Sequence, residues 1–205
     1  KAYDGYKANR HGMPPELAQQ LPVLKELLTA LGYRLVECPG FEADDILGTV
    51  AKRCQAEGEE VSVVSGDRDL LQLSDTHIKI RIPKTSRGTT EIHDYYPEDV
   101  KREYQVTPTE FIDVKALMGD TSDNIPGVPS IGEKTATNLI VAYGSIENAY
   151  AHLDEVKPPR AKKALEEHYD LAVMSKELAE ICITCPIPFE YEEAKIENLY
   201  TPEAY

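Results

Sequence analysis

The sequence predicts an α/β layer with a mostly parallel central sheet, followed by a region built from helices. Three observations predict it: a strand–helix–strand succession between residues 33 and 65, two further short strand-like runs before Tyr96, and helical patterning from Pro97 onward.

In chain order, Leu17, Leu21, Leu24, Leu27, Leu28 and Leu31 recur at steps of three and four, which predicts an amphipathic helix ending at Gly32. Pro22 inside that pattern predicts a kink or a start near it. Tyr33–Cys38 reads as a short apolar strand closed by Pro39-Gly40. A helix follows from about Glu42 to Glu57, stopped by Gly58. Glu60–Ser65 is β-branched and too short for a helix, so it reads as a buried strand. Ile78–Ile82 alternates apolar and basic residues and is expected to pair with Thr89–Ile92 across Arg87-Gly88. A boundary near Tyr96 divides the chain into residues 1–96 and 97–205.

The 205 residues are 41% hydrophobic and 28% charged, enough for a core and for solubility. No stretch approaches the roughly 18 apolar residues of a membrane span, and no apolar segment after a basic start marks a signal peptide, so a cytoplasmic location is expected. A chain that opens on Lys1 reads as a fragment. Of the cysteines Cys38, Cys54, Cys182 and Cys185, only the last two have a suggestive spacing, and zinc would need a second such pair; reduced thiols are expected. The formal charge of −14 excludes a broad basic field, so any nucleic-acid contact must come from local patches.

Three acidic groupings carry the chemistry. Glu42, Asp44 and Asp45 open a helix, where the macrodipole favours negative charge. Asp67 and Asp69 follow a strand directly, at the sheet edge where α/β ligands gather. Asp120 and Asp123 occupy a polar loop after a helix. Alone, each is an ordinary cap or turn. Converging, they would repel one another without cations, and hard oxygen ligands suit Mg²⁺ or Mn²⁺. Two such ions about 3.5–4 Å apart can activate water and stabilise the leaving oxygen of a phosphodiester. His11, His77, His93, His152 and His168 are scattered, and no glycine-rich nucleotide loop supports an ATPase.

Five motifs in order resemble one family. They are Tyr6-Lys-Ala-Asn-Arg10, Gly40-Phe-Glu-Ala-Asp-Asp45, Ser65-Gly-Asp-Arg-Asp-Leu70, Gly119-Asp-Thr-Ser-Asp-Asn-Ile-Pro-Gly-Val128 and Pro129-Ser-Ile-Gly-Glu-Lys-Thr-Ala136. Over essentially the whole chain they are similar to the 5′-nucleases of bacterial DNA polymerase I, in a family that includes phage 5′-nucleases and flap endonucleases. Any one motif is weak; five in order are specific.

The resemblance implies a PIN-like 5′-nuclease fold with an arch remnant at residues 1–20 and a helix–hairpin–helix at about 119–150. It implies that Glu42 and Asp44, with Asp45 beside them, hold a first metal ion, and that Asp67, Asp69, Asp120 and Asp123 hold a second. Lys7 and Arg10 resemble the basic pair of the arch helix. Tyr6 resembles an aromatic that stacks on a terminal base, with packing of Tyr3 and Tyr6 on one face as the alternative. Gly127, Ser130, Gly132, Lys134 and Thr135 resemble the hairpin that binds a DNA phosphate, where K⁺ can sit at the carbonyls. Lys157, Arg160, Lys162 and Lys163 either extend that patch or form a solvated face.

The family pattern also places two aspartates upstream of the segment matching Lys1, one of them on the first strand of the sheet. That strand and both aspartates are absent here, so the first metal site is expected to be short of ligands.

The implied function is structure-selective cleavage of DNA at 5′ flaps, nicks and branched duplexes by a monomer covalently linked to a polymerase. A DNA-binding fragment without activity is the runner-up, separated from the nuclease by the acids. A PIN-type ribonuclease is a third reading, and it would not need residues 127–136.

Overall fold

A computed structural model of the chain describes residues 3–10, 12–86 and 88–199. Lys1, Ala2, His11, Arg87 and residues 200–205 lie outside the described residues, and with them the first half of the expected Arg87-Gly88 turn. The elements are α1 (Pro15–Ala30), α2 (Ala43–Ala56), β1 (Val61–Val64), a 3₁₀ helix (Arg68–Leu73), β2 (Ile78–Ser86), β3 (Thr89–Tyr95), α3 (Pro97–Tyr104), α4 (Pro108–Met118), α5 (Glu133–Tyr143), α6 (Ile146–Ala151), α7 (Pro159–Glu167) and α8 (Tyr169–Ala179).

The sheet runs in the order β1-β2-β3, with β1 parallel to β2 and β2 antiparallel to β3. Alternation in β2 turns Ile78, Ile80 and Ile82 inward, while Arg81 faces out and grips Asp94 on β3 at 2.7 and 2.8 Å. The expected Ile78–Ile82 pairing with residues 89–92 therefore forms, and extends to Tyr95.

Tyr33–Cys38 is a correction. The segment is not a strand, because a strand is defined by its ladder and this stretch has no ladder partner among the described residues. The parallel pair comes instead from β1 and β2, joined through the 3₁₀ helix rather than an α-helix. A second correction concerns β1, expected to be buried: only Val63 is, and Val64 stands 62% exposed.

α1 runs unbroken through Pro22 and buries none of its residues. Its leucine stripe is amphipathic in pattern, yet Leu17, Leu24 and Leu27 stand about half exposed. α2 is stopped as expected, one residue before Glu57-Gly58.

One core runs through the α/β layer and the helices. Leu70 and Leu71 of the 3₁₀ helix, Ile78 and Ile80 of β2, Val100 of α3, Leu117 of α4, Ile140 of α5 and Leu165 of α7 all belong to it and are fully buried. Each such side chain contributes roughly 1.5–3 kcal/mol. α4 is the hub, packed against the 3₁₀ helix, α5 and α8. Its C-terminal turn is thereby held beside the 3₁₀ helix that follows β1.

Candidate active site

Three element ends supply the carboxylates. Glu42 is the N-cap of α2, and its side chain and that of Asp45 form a capping box. Asp67 caps the 3₁₀ helix, accepting from Asp69 N at 2.9 Å. Asp120 organises the loop after α4, its Oδ1 accepting from Ser122 N at 2.7 Å and Ser122 Oγ at 2.6 Å.

The ends converge. Burial pushes the Asp44 carboxyl up, and the charges of Asp67, Glu42 and Asp69 push it further against the pull of Lys7. Burial likewise raises Asp69, opposed by Lys115 and reinforced by Asp67 and Asp120. Asp120 behaves differently. Burial acts upward, but hydrogen bonds from Lys115 and Ser122 win and hold it at about 2.

Cations divide the cluster. Lys7 pairs with Glu42 and stands 3.7 Å from Asp123, and Arg10 pairs with Asp123. Lys115 Nζ stands 2.8 Å from Asp69 Oδ1 and 2.6 Å from Asp120 Oδ2. No three acidic, histidine or cysteine side chains among the described residues form a closed metal-holding group. The Asp44 carboxylate, by contrast, has no hydrogen-bond or ion-pair partner among the described residues, though it is half-buried amid like charge.

Asp45 does not face this pocket, a correction to the expected ligand set. It is 6% exposed, and its Oδ2 accepts from Glu42 N at 3.0 Å while Oδ1 accepts from Cys182 N at 2.8 Å. One helical turn on, Thr49 Oγ1 accepts from Cys185 N at 3.0 Å, and Arg53 donates to the carbonyls of Cys185 and Ile187. One face of α2 thus clamps the segment after α8. Cys182 and Cys185 belong to that clamp, and all four cysteines are free thiols.

The arch helix expected at Lys7 and Arg10 is a second correction. Residues 4–9 form successive turns, with Tyr6 N, Ala8 N and Arg10 N each bonded three residues back, and Lys7 sits at φ 56. Asn124 Nδ2 fastens this loop through Gly5 O at 2.6 Å, and Lys7 N bonds Asp123 O at 2.8 Å. Tyr6 is packed, not splayed. Its ring joins a satellite cluster with Tyr3, Ile112, Ile125 and Met174, its hydroxyl donates to Glu42 at 3.3 Å, and burial pushes that hydroxyl up to about 12.

At the hairpin the two glycines part company. Gly127 is buried at φ +64, a Cβ there would meet Gly119 N at 2.5 Å, and its N–H donates to Ser175 Oγ at 3.1 Å. It supports the loop and has no N–H left to offer. Gly132, expected to make a tight turn, has φ −92, which any residue adopts. A Cβ there would meet nothing within 4 Å, so this N-cap leaves the first N–H groups of α5 open to solvent. Ser130 and Lys134 are exposed beside it and Thr135 is half-buried; Ser130 Oγ accepts from Arg160 at 3.1 Å. Lys162 and Lys163 are ion-paired on the surface with Asp154 and Glu167.

Comparison with known proteins fits these features. A family model described as 5′-3′ exonuclease, N-terminal resolvase-like domain, matches residues 1–105. The chain belongs to the 5′-3′ exonuclease family. The family's C-terminal SAM fold matches residues 106–201, so the 5′-3′ exonuclease match meets itself next to α3. DNA polymerase I of Bacillus caldotenax is 46% identical over 193 residues, 94% of this chain and 22% of that protein. DNA polymerase I of Bacillus subtilis is 48% identical over 182 residues, 89% of this chain and 20% of that protein. The chain thus spans about a fifth of the length of these relatives.

Among solved structures, the bacteriophage T5 5′-exonuclease with bound divalent zinc is 25% identical at a TM-score of 0.68, covering 86% of this chain and 64% of that one. A bacteriophage T5 flap endonuclease, in a pseudo-enzyme–product complex with DNA and metal ions, shares the fold at a TM-score of 0.71 and 24% identity, covering 86% and 67%.

Lys115 is the residue of this candidate site that sequence reasoning missed. A lone lysine in the last turn of a helix reads as a favourable dipole partner. Its spacing of five before Asp120 was the available signal.

Proposed function

We propose that this chain is the greater part of a structure-selective 5′→3′ exonuclease and flap endonuclease acting on DNA phosphodiesters, as a domain of a DNA polymerase I. The convergence of Glu42, Asp44, Asp67, Asp69, Asp120 and Asp123 from three separate element ends supports this reading most. The donor set fits Mg²⁺ or Mn²⁺: the oxygens are hard, and the Asp44 carboxylate makes no hydrogen bond or ion pair among the described residues while standing amid like charge.

Glu42 and Asp44 would hold one ion; Asp67, Asp69, Asp120 and Asp123 would hold the other. Bound there, the ions would supply an activated water and stabilisation of the leaving oxygen. The residues of the chain do the rest. Lys7 and Arg10 stand at the rim on Glu42 and Asp123, where an arriving phosphate competes for the same cations and gains charge stabilisation. The open N–H groups of α5, with Ser130, Lys134, Thr135 and Arg160, bind a duplex phosphate and position the substrate without reading bases. The neighbouring carbonyls are offered to K⁺. Primer removal and repair at 5′ flaps and nicks, by a monomeric domain in a bacterial cytoplasm, complete the reading.

The test is cleavage of 5′-labelled flap DNA. The chain extended upstream is expected to cut with Mg²⁺ or Mn²⁺, not with EDTA, and to leave 5′-phosphorylated products. Tight, metal-indifferent binding without cutting would favour a DNA-binding module instead.

A further inference from the structure

Lys115 is anchored in the last turn of α4, with a side chain only 14% exposed, and it touches two carboxylates from different elements. Asp69 belongs to the 3₁₀ helix after β1 and Asp120 to the loop after α4, so nothing in local sequence requires them to share a partner. Its two contacts, 2.8 and 2.6 Å, lie within hydrogen-bond range. Two carboxylates brought this close without a cation would repel. A single ammonium neutralises one of the two charges, whereas a divalent ion would neutralise both.

We propose that Lys115 is a built-in counter-cation for the Asp69–Asp120 edge of the acidic pocket, and that a divalent ion binds there by displacing it. This rests on the reading that Asp69 and Asp120 ligate such an ion. The displaced group has somewhere to go. Lys115 lines a cavity of about 770 Å³ between the 3₁₀ helix, α3, α4 and α5, whose walls include the carboxylates of Glu103 and Glu133. An ammonium on a flexible four-carbon stem reaches new partners there with little cost to the backbone. The arrangement keeps the pocket folded before metal arrives and raises the concentration of metal needed to fill it.

Titration of the chain with Mn²⁺ alone, with free Mn²⁺ read by electron paramagnetic resonance, tests this without any cleavage. Lys115→Met is expected to bind Mn²⁺ about tenfold more tightly, because the ion no longer competes with the ammonium. Its metal-free thermal midpoint is expected to fall and to recover with Mn²⁺. Lys115→Arg keeps the charge in a fork that can span both carboxylates, so it is expected to bind Mn²⁺ no more tightly than the parent chain; tighter binding by this variant overturns the proposal even if Lys115→Met does not fold. Asp120→Asn separates the two layers. Loss of Mn²⁺ binding in Asp120→Asn, with unchanged or weaker binding in Lys115→Met, overturns the counter-cation and leaves the metal site standing. Unchanged binding in Asp120→Asn overturns the metal site and the counter-cation with it.

Discussion

Asp45 accepts a hydrogen bond from Cys182 N at 2.8 Å, tying the start of the helix that bears Glu42 to a segment 137 positions away in sequence. The same carboxylate caps Glu42 N, so a single side chain fixes both the helix start and the strap laid across it. Asp45→Ala is expected to lower unfolding free energy by about 1–2 kcal/mol, since it removes a cap and leaves a half-buried N–H without its partner. Urea denaturation checks this. A variant as stable as the parent would return Asp45 to the ligand set.

Asp67→Ala should do the opposite. Asp67 is exposed and holds only a local turn bond, so the fold persists while cleavage of flap DNA is lost. Circular dichroism beside a flap-cleavage assay separates the two effects, and full activity would remove Asp67 from the site.

Asp44→Asn is expected to stabilise the metal-free chain near neutral pH. Burial and the charge of Asp67 raise the Asp44 carboxyl in the folded state, so the folded chain holds that proton more tightly than the unfolded chain. Its ionisation therefore costs stability as pH rises through the raised value. The gain from Asn is expected to shrink as pH falls towards the ordinary carboxylate range, and to reverse near neutrality when Mg²⁺ is added. Melts across pH, with and without Mg²⁺, report all three.

The hairpin glycines are expected to diverge on substitution. Gly127→Ala forces a Cβ against Gly119 N at φ +64 and should cost about 2 kcal/mol or more. Gly132→Ala meets open space and should leave stability nearly unchanged. Equal losses in thermal unfolding would contradict this account of the loop.

Lys134→Ala is expected to weaken duplex binding uniformly across sequences and to flatten the salt dependence by about one counterion. Fluorescence anisotropy at several salt concentrations measures it; a sequence-selective loss would contradict a backbone contact.

The three acidic groupings were legible in sequence because each stands at the end of an element, where a short motif fixes both the cap and the direction of the side chain. Glu42, Asp67 and Asp120 could be placed that way. Asp45 could not, because its partner Cys182 is a backbone N–H that carries no sequence signature. Lys115 offered only its spacing before Asp120, because its contact with Asp69 forms in three dimensions. Tyr33–Cys38 had strand propensity without a ladder, and Gly132 had turn chemistry without a turn, since what it contributes is the absence of a side chain over a helix end. Tyr6 offers two readings, and without DNA it packs half-buried against Ile125 and Met174.

The most direct test is to soak crystals of the chain in Mn²⁺ and locate the ions by anomalous scattering. Peaks among Asp44, Asp67, Asp69 and Asp120, with Lys115 swung clear of the last two, are the predicted result. Peaks remote from these side chains, or none at concentrations that support cleavage, would contradict the account.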